Sequence, residues 1–303
     1  MIYTLTINPA IDLTMHLSTS LKIGKVNRSI KDDISIGGKG INIATILNNL
    51  DEQVIPIVVV SGYTGKLIES YIIDNFNNYY LIEVQNGQSR LKINVQDTSE
   101  TEINGNGPEI DKEDIDKIID YLKDIKDEDY LCLTGSIPIN MDNYLYANII
   151  ENLNNKPKII VDADKELLFN TLKYKPFLIK PNLEELQAYF DVEIIEMKQI
   201  KQYLIKLKDL GAINVLCSLG KDGAILLDEN NKFHYLDTIE GDVLNTIGSG
   251  DSMIAGFIYE YISNHDYEEA LKMAIACGSA TAFSPSLANK NKIIEVYNHL
   301  TNK

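Results

Sequence analysis

Short apolar runs of strand length recur along the chain and alternate with stretches in which apolar side chains return every three or four residues. The continuous runs at 2–7, 55–60, 130–134, 158–161, 177–179 and 215–218 predict core strands. Residues 112–125, 143–153 and 198–210 carry helical spacing, and from Gly248 onward the pattern turns helical, with apolar residues gathered at 253–262 and 270–283. This alternation predicts a mostly parallel sheet flanked by helices and joined by right-handed crossovers. Two stretches, 11–36 and 88–103, break the rhythm, alternating apolar and polar residues as half-exposed strands do. They are expected to pair as antiparallel strands of a small separate sheet, a lid over one edge of the larger one. Neither an internal repeat nor a flexible linker divides the 303 residues.

Composition narrows the functional classes. At 45% hydrophobic and 24% charged the chain is an ordinary globular protein. Its 28 basic against 44 acidic residues give a net charge of −16, which repels nucleic-acid backbones and excludes nucleic acid as a partner. An anionic ligand would require the few cations to be gathered in one place. The three cysteines, Cys132, Cys217 and Cys277, lie in apolar runs without Cys-x-x-Cys spacing and read as buried free thiols of a reduced cytoplasm. No basic leader precedes Asn8-Pro9, and no apolar run approaches the ~20 residues that span a bilayer. A soluble cytoplasmic protein with no membrane partner is expected.

Five places carry candidate chemistry. Asn245-Thr246-Ile247-Gly248-Ser249-Gly250-Asp251 runs from a turn into an apolar helix. Open N–H groups and two glycines there would receive an anion, with Asp251 beside it as a proton acceptor; the alternative is a glycine turn with Asp251 as a cap. Gly37-Gly38-Lys39-Gly40-Ile41-Asn42 also opens a helix but has neither Walker A nor dinucleotide spacing. Its glycines permit close approach of a polyhydroxylated ligand, or simply form a tight turn. Ser218-Leu219-Gly220-Lys221-Asp222-Gly223 follows a strand and fits a ligand loop or a hairpin turn. In Lys180-Pro181-Asn182-Leu183-Glu184-Glu185, Asn182 and Glu185 have capping-box spacing, which would also aim both at hydrated Mg²⁺. Asp12 lies where the first strand enters the lid, and Arg28 and Arg90, the only arginines of the chain, lie in the two lid segments, as forks suited to a sugar phosphate. The four histidines form no metal spacing.

The order of these motifs resembles the ribokinase-like, or PfkB-type, sugar kinases over essentially the whole chain, and 101–108 and 278–284 look most like the phosphofructokinase-like branch. The resemblance implies a three-layer α/β/α sandwich with a β lid, a single kinase domain spanning 1–303, and a homodimer formed through the lid. It implies ATP-dependent phosphorylation of a ketohexose monophosphate, fructose 1-phosphate to fructose 1,6-bisphosphate, with tagatose 6-phosphate as the alternative substrate. A non-catalytic sugar-phosphate binder is the reading from a different class, and such a binder would not need Asp251. By the same resemblance Asp251 is the base, and the 247–250 backbone, with Gly248, Ser249 and Gly250, steadies the transferring phosphoryl group. Asp12, Gly38, Lys39 and Asn42 hold the sugar, while Arg28, Arg90, Lys25 and Ser136 face its phosphate. ATP lies along 218–223 with Lys180, Asn182 and Gly250, Mg²⁺ sits near Asn182 and Glu185, and a monovalent cation is admitted as a second cofactor. The chain has Asn245 where many relatives in the family carry Asp, although the phosphofructokinase-like branch tolerates other residues there. The chain also reads Arg90-Leu91-Lys92-Ile93-Asn94, where Asn usually stands nearer the arginine and Lys further on.

Overall fold

The computed structural model describes residues 1–301. Thirteen strands are present among them: β1 Ile2–Thr6, β2 Ala10–Leu17, β3 Ser29–Gly37, β4 Val54–Ser61, β5 Tyr80–Val84, β6 Arg90–Gln96, β7 Glu100–Asn104, β8 Tyr130–Thr134, β9 Lys158–Asp162, β10 Leu178–Ile179, β11 Asn214–Ser218, β12 Ala224–Leu227 and β13 Phe233–Leu236. The helices are α1 Lys39–Asn49, α2 Gly62–Asn75, α3 Lys112–Leu122, α4 Leu145–Glu151, α5 Lys165–Thr171, α6 Leu183–Phe190, α7 Met197–Asp209, α8 Ser249–Asn264, α9 Tyr267–Ala282 and α10 Lys290–Thr301. All six core strands and the helices read from periodicity are found, with ends moved by at most three residues. Short or mixed segments such as β5, β13 and α5 carry too few periods to stand out.

Nine strands form the larger sheet in the order β13-β12-β11-β10-β9-β8-β1-β4-β5, and only β12 runs against its neighbours. Alternate residues of one apolar run feed opposite layers. Tyr130 and Cys132 of β8 point into a core shared with α1, α2, α8, α9 and α10, while Leu131 and Leu133 point into the core under α3, α4 and α7. That double burial is why these strands read as continuous apolar runs rather than alternating ones. The fold is therefore α/β, with helices on both faces of a mostly parallel sheet.

The two rhythm-breaking stretches form a second sheet of order β3-β2-β6-β7. Its outer pairs are antiparallel as expected, but the central pair β2–β6 is parallel, with Asp12 opposite Lys92. The reason lies in the main sheet. β2 and β6 follow β1 and β5, which run the same way, so both chains leave its carboxyl edge in one direction.

The most extensive helix contact is between α8 and α9, and it is close because α8 carries Gly256. A Cβ added there would lie 2.5 Å from the Met273 carbonyl oxygen and 2.8 Å from Cys277 Sγ. Neither a buried carbonyl nor a packed sulfur can yield, so the helices must part. Gly256→Ala is expected to lower unfolding stability by about 1–3 kcal/mol, the usual scale for overpacking. Urea unfolding followed by circular dichroism checks this, and an unchanged midpoint would contradict it.

Candidate active site

The candidate residues meet at the carboxyl edge of the parallel strands, where open α/β sheets receive ligands. β9 ends on Asp162, which is buried among apolar strand residues. Lys39, the first residue of α1, places Nζ 2.8 Å from Asp162 Oδ1. Lys180, directly after β10 and its Ile179, places Nζ 3.4 Å from Asp162 Oδ2. Burial opposes the charge on Lys39, but Asp162 and then Asp251 outweigh it and hold the ammonium above its ordinary pKa. Burial works against Asp162 as well, yet Lys180 and Lys39 hold its carboxyl below the usual carboxylate range.

Asp251 stands in the first turn of α8, buried, and its Oδ2 accepts a 2.8 Å hydrogen bond from Asn42 Nδ2 of α1. Burial, and then the charge of Asp162, push its pKa up to about 6, against the pull of Lys39, Asn42 and Lys180. The carboxylate is thus ionised at neutral pH and basic enough to take a proton. Around it, the Gly250 and Asp251 N–H groups open from the first helix turn, and Ser249 Oγ is buried without a hydrogen-bond partner. A Cβ on Gly250 would lie 3.1 Å from Lys180 Nζ, so the bare glycine lets the ammonium stand against the helix start. Asn245 shapes the approach: its side chain accepts from the Ile247 N–H at 2.9 Å, and its own N–H bonds the Ala282 carbonyl at the end of α9.

On one side of this centre lies a groove of about 1800 Å³. Ser218, Leu219, Gly220, Lys221 and Gly223 form one wall, Thr246, Ser249, Gly250 and Asn182 close its inner end, and Phe283 and Met253 line its apolar part. Asp222 is not on the wall; its carbonyl instead accepts the Tyr235 hydroxyl. The groove also uses 238–244 and Lys292, Glu295 and His299 of α10, none of which sequence reasoning found. These positions carry no motif and come near only through the α8–α9–α10 packing.

On the other side lies the polar face of the lid. Asp12, Arg90 and Lys92 share it, and Lys92 Nζ is 2.6 Å from Glu102 Oε1. Burial raises the Asp12 pKa while Lys92 and Arg90 pull it down; Asp12 Oδ1 and Arg90 Nε are both buried without hydrogen-bond partners. Arg90 feels Asp12 and also Asp164, beyond β9, which ties this face to the sheet edge. Ser136 is half-buried beside Gly135, which packs near the Lys39 side chain. Arg28 and Lys25 lie elsewhere, exposed in the loop between β2 and β3. Five register steps along β2 separate that end from Asp12, about 17 Å. Gly38, at φ 137°, leaves space for protein first, since a Cβ there would meet Thr6 Cγ2 at 2.7 Å.

Asn182 and Glu185 form the capping box of α6. Glu185 N–H donates to Asn182 Oδ1 at 2.7 Å, and Asn182 N–H donates to Glu185 Oε2 at 2.8 Å. Among the described residues no group of three or more His, Cys, Asp or Glu could hold a metal by itself. What remains is Glu185 Oε1, which is not on the groove wall itself but is tied through the capping box to Asn182, which is; this donor set fits a divalent ion carried by nucleotide phosphates and keeping most of its water.

The pfkB family carbohydrate kinase model matches residues 6–294. A 1-phosphofructokinase of Bacillus subtilis is 33% identical, covering 96% of this chain and 95% of its own. A D-tagatose-1-phosphate kinase of Bacillus licheniformis is 34% identical over 97% and 96%. Among solved structures, phosphofructokinase-2 of Escherichia coli in complex with substrates and products superposes with a TM-score of 0.90 at 23% identity, covering 99% of each chain. The chain belongs to the pfkB family of carbohydrate kinases, and it is an ATP-dependent sugar kinase. Kinases of this family use ATP with a divalent metal. No helix among the described residues is long and apolar enough to cross a membrane.

The raised pKa of Asp251 has a consequence independent of any substrate. Unfolded, the group titrates near the ordinary 3.8; folded, near 6, so ionisation above that range weighs against the fold. Asp251→Asn is therefore expected to raise unfolding stability at pH 7, by up to about 3 kcal/mol. The gain should fall away as pH drops from about 6 towards 3.8, below which the parent carboxyl is protonated in both states. Chemical denaturation of both proteins across this range measures it, and a variant less stable than the parent at pH 7 would contradict it.

Proposed function

We propose that this kinase phosphorylates a ketohexose 1-phosphate, with fructose 1-phosphate first, and so makes fructose 1,6-bisphosphate. The observation that carries the reading is the buried Asp251, tuned to about 6, standing between a nucleotide-sized groove and a lid face bearing Arg90 and Lys92. A binder would gain nothing from such a base. The 1-phosphate is favoured because relatives of both kinds, for fructose and for tagatose, act by name on 1-phosphates.

In this mechanism Asp12, Asn42, Lys39 and the N–H of Gly38 orient the sugar, and Arg90, with Ser136, holds its existing phosphate. Asp251 accepts the proton of the free primary hydroxyl as its oxygen bonds the γ-phosphorus. The bond from that phosphorus to the bridging oxygen breaks, and its electron pair leaves with ADP. Lys39, Lys180 and the open N–H groups at Gly250 and Asp251 meet the charge that spreads over the transferring group. ATP lies along 218–223, and Mg²⁺ held near Asn182 and Glu185 would neutralise its phosphates. Residues 1–303 act as one kinase domain in the cytoplasm, where ATP and reduced thiols coexist. The opposite face of the lid carries exposed Ile30, Ile34, Leu91 and Ile103, an apolar surface suited to burial against a second copy. A dimer in sedimentation velocity is expected, and a monomer at micromolar concentration would overturn that part.

Coupled ADP release is measured with fructose 1-phosphate, tagatose 1-phosphate, tagatose 6-phosphate, fructose 6-phosphate and ribose. The highest kcat/KM is expected with fructose 1-phosphate. Asp251→Asn should bind ATP as before and lose about 10² to 10⁴ in kcat, the typical contribution of a general base. Near-parental turnover in that variant would overturn the role of Asp251, and a preference for another sugar would overturn the choice of substrate.

A further inference from the structure

The lid carries a second cation that the roles above leave unassigned. β6 places Arg90 and Lys92 two residues apart, hence on one face, and across from Lys92 in the sheet stands Asp12. Lys92 is only 20% exposed, yet its ion pair is with Glu102 of the outermost strand β7, itself 42% exposed. Such a pair, open to water on one side, contributes little by itself. Glu102 can turn to solvent at small cost, and a phosphate dianion offers Lys92 twice the charge.

The neighbours point the same way. Arg90 Nε and Asp12 Oδ1, which flank Lys92 along and across the sheet, are both buried without partners. Polar atoms left open in this way mark a face built to receive a polar ligand. Arg90 supplies a fixed fork and Lys92 a mobile point charge on the same side, the combination that grips a phosphate from two directions.

We propose that Lys92 is a specificity-determining residue that binds the phosphate already present on the sugar, and that Glu102 is its resting counter-ion, displaced when the sugar phosphate enters. This rests on the kinase reading and names a contact within it. Glu102 then acts as a filter. A neutral sugar cannot compensate for loss of the pair, whereas a phosphorylated one can.

The test compares the parent with Lys92→Met, Lys92→Arg and Glu102→Gln, using fructose 1-phosphate and ATP in steady-state kinetics and fructose 1-phosphate alone in calorimetric titration. Lys92→Met keeps the stem and removes the charge. It should raise KM for fructose 1-phosphate about ten- to a hundredfold, with KM for ATP and kcat close to the parent. Lys92→Arg should retain most of the affinity, and Glu102→Gln should lower KM for the sugar phosphate by freeing the lysine. An unchanged KM in Lys92→Met, or equal losses for sugar phosphate and ATP, or an arginine variant as weak as the methionine one, would overturn the proposal. Titration separates this from the kinase reading. If the parent binds fructose 1-phosphate through Lys92 but releases no ADP, the kinase reading fails and the contact holds. If the parent turns over and Lys92→Met is silent in both measurements, the contact fails and the kinase reading holds.

Discussion

Asp162 is a carboxylate almost removed from water, and the site is organised around how that charge is matched. Lys39 comes from the start of α1, Lys180 from the end of β10, and Asp162 closes β9, so one charge cluster joins three separately folded segments. Removing one partner from a buried pair typically costs about 3–5 kcal/mol, because the remaining charge is left without compensation. The cluster also sets the chemistry. Asp162 adds to the desolvation that lifts Asp251, while the two lysines keep the lift moderate enough for ionisation at neutral pH. Structure and reactivity therefore draw on the same three side chains.

That cluster separates two surfaces of different character. The groove is walled by turns and helix ends, with Phe283 and Met253 giving it an apolar part. The lid face is polar and charged, with acids and bases interleaved along β2, β6 and β7. In a chain of net charge −16, gathering Lys39, Lys180, Arg90 and Lys92 near one edge creates a local reversal of the protein's field. Two anionic substrates can meet there although the rest of the surface repels them.

The sheet was legible in the sequence because a strand covered on both faces must be apolar at every position, as in Tyr130–Thr134. The glycine loops before α1 and α8 were legible because helix starts with open N–H groups need small residues beside them. The parallel pairing of β2 with β6 was not, since it depends on the direction in which two distant segments leave the main sheet. Nor was Asp162, whose string Val161-Asp162-Ala163 looks like any strand end until Lys39 and Lys180 are seen around it. The 238–244 wall escaped for a similar reason, as no local pattern announces a segment that matters through what packs behind it. Arg28, chosen as one of only two arginines, lies at the far end of its hairpin from Asp12.

If the buried cluster tunes Asp251 for proton transfer, the pH profile of kcat/KM for the sugar phosphate must show it. Activity is predicted to rise with pH along an acid limb whose apparent pKa lies near 6 and to level off above it, because only the ionised carboxylate accepts the proton. A profile that stays flat from pH 7 down to about 5, or a limb near the ordinary carboxylate value, would contradict it.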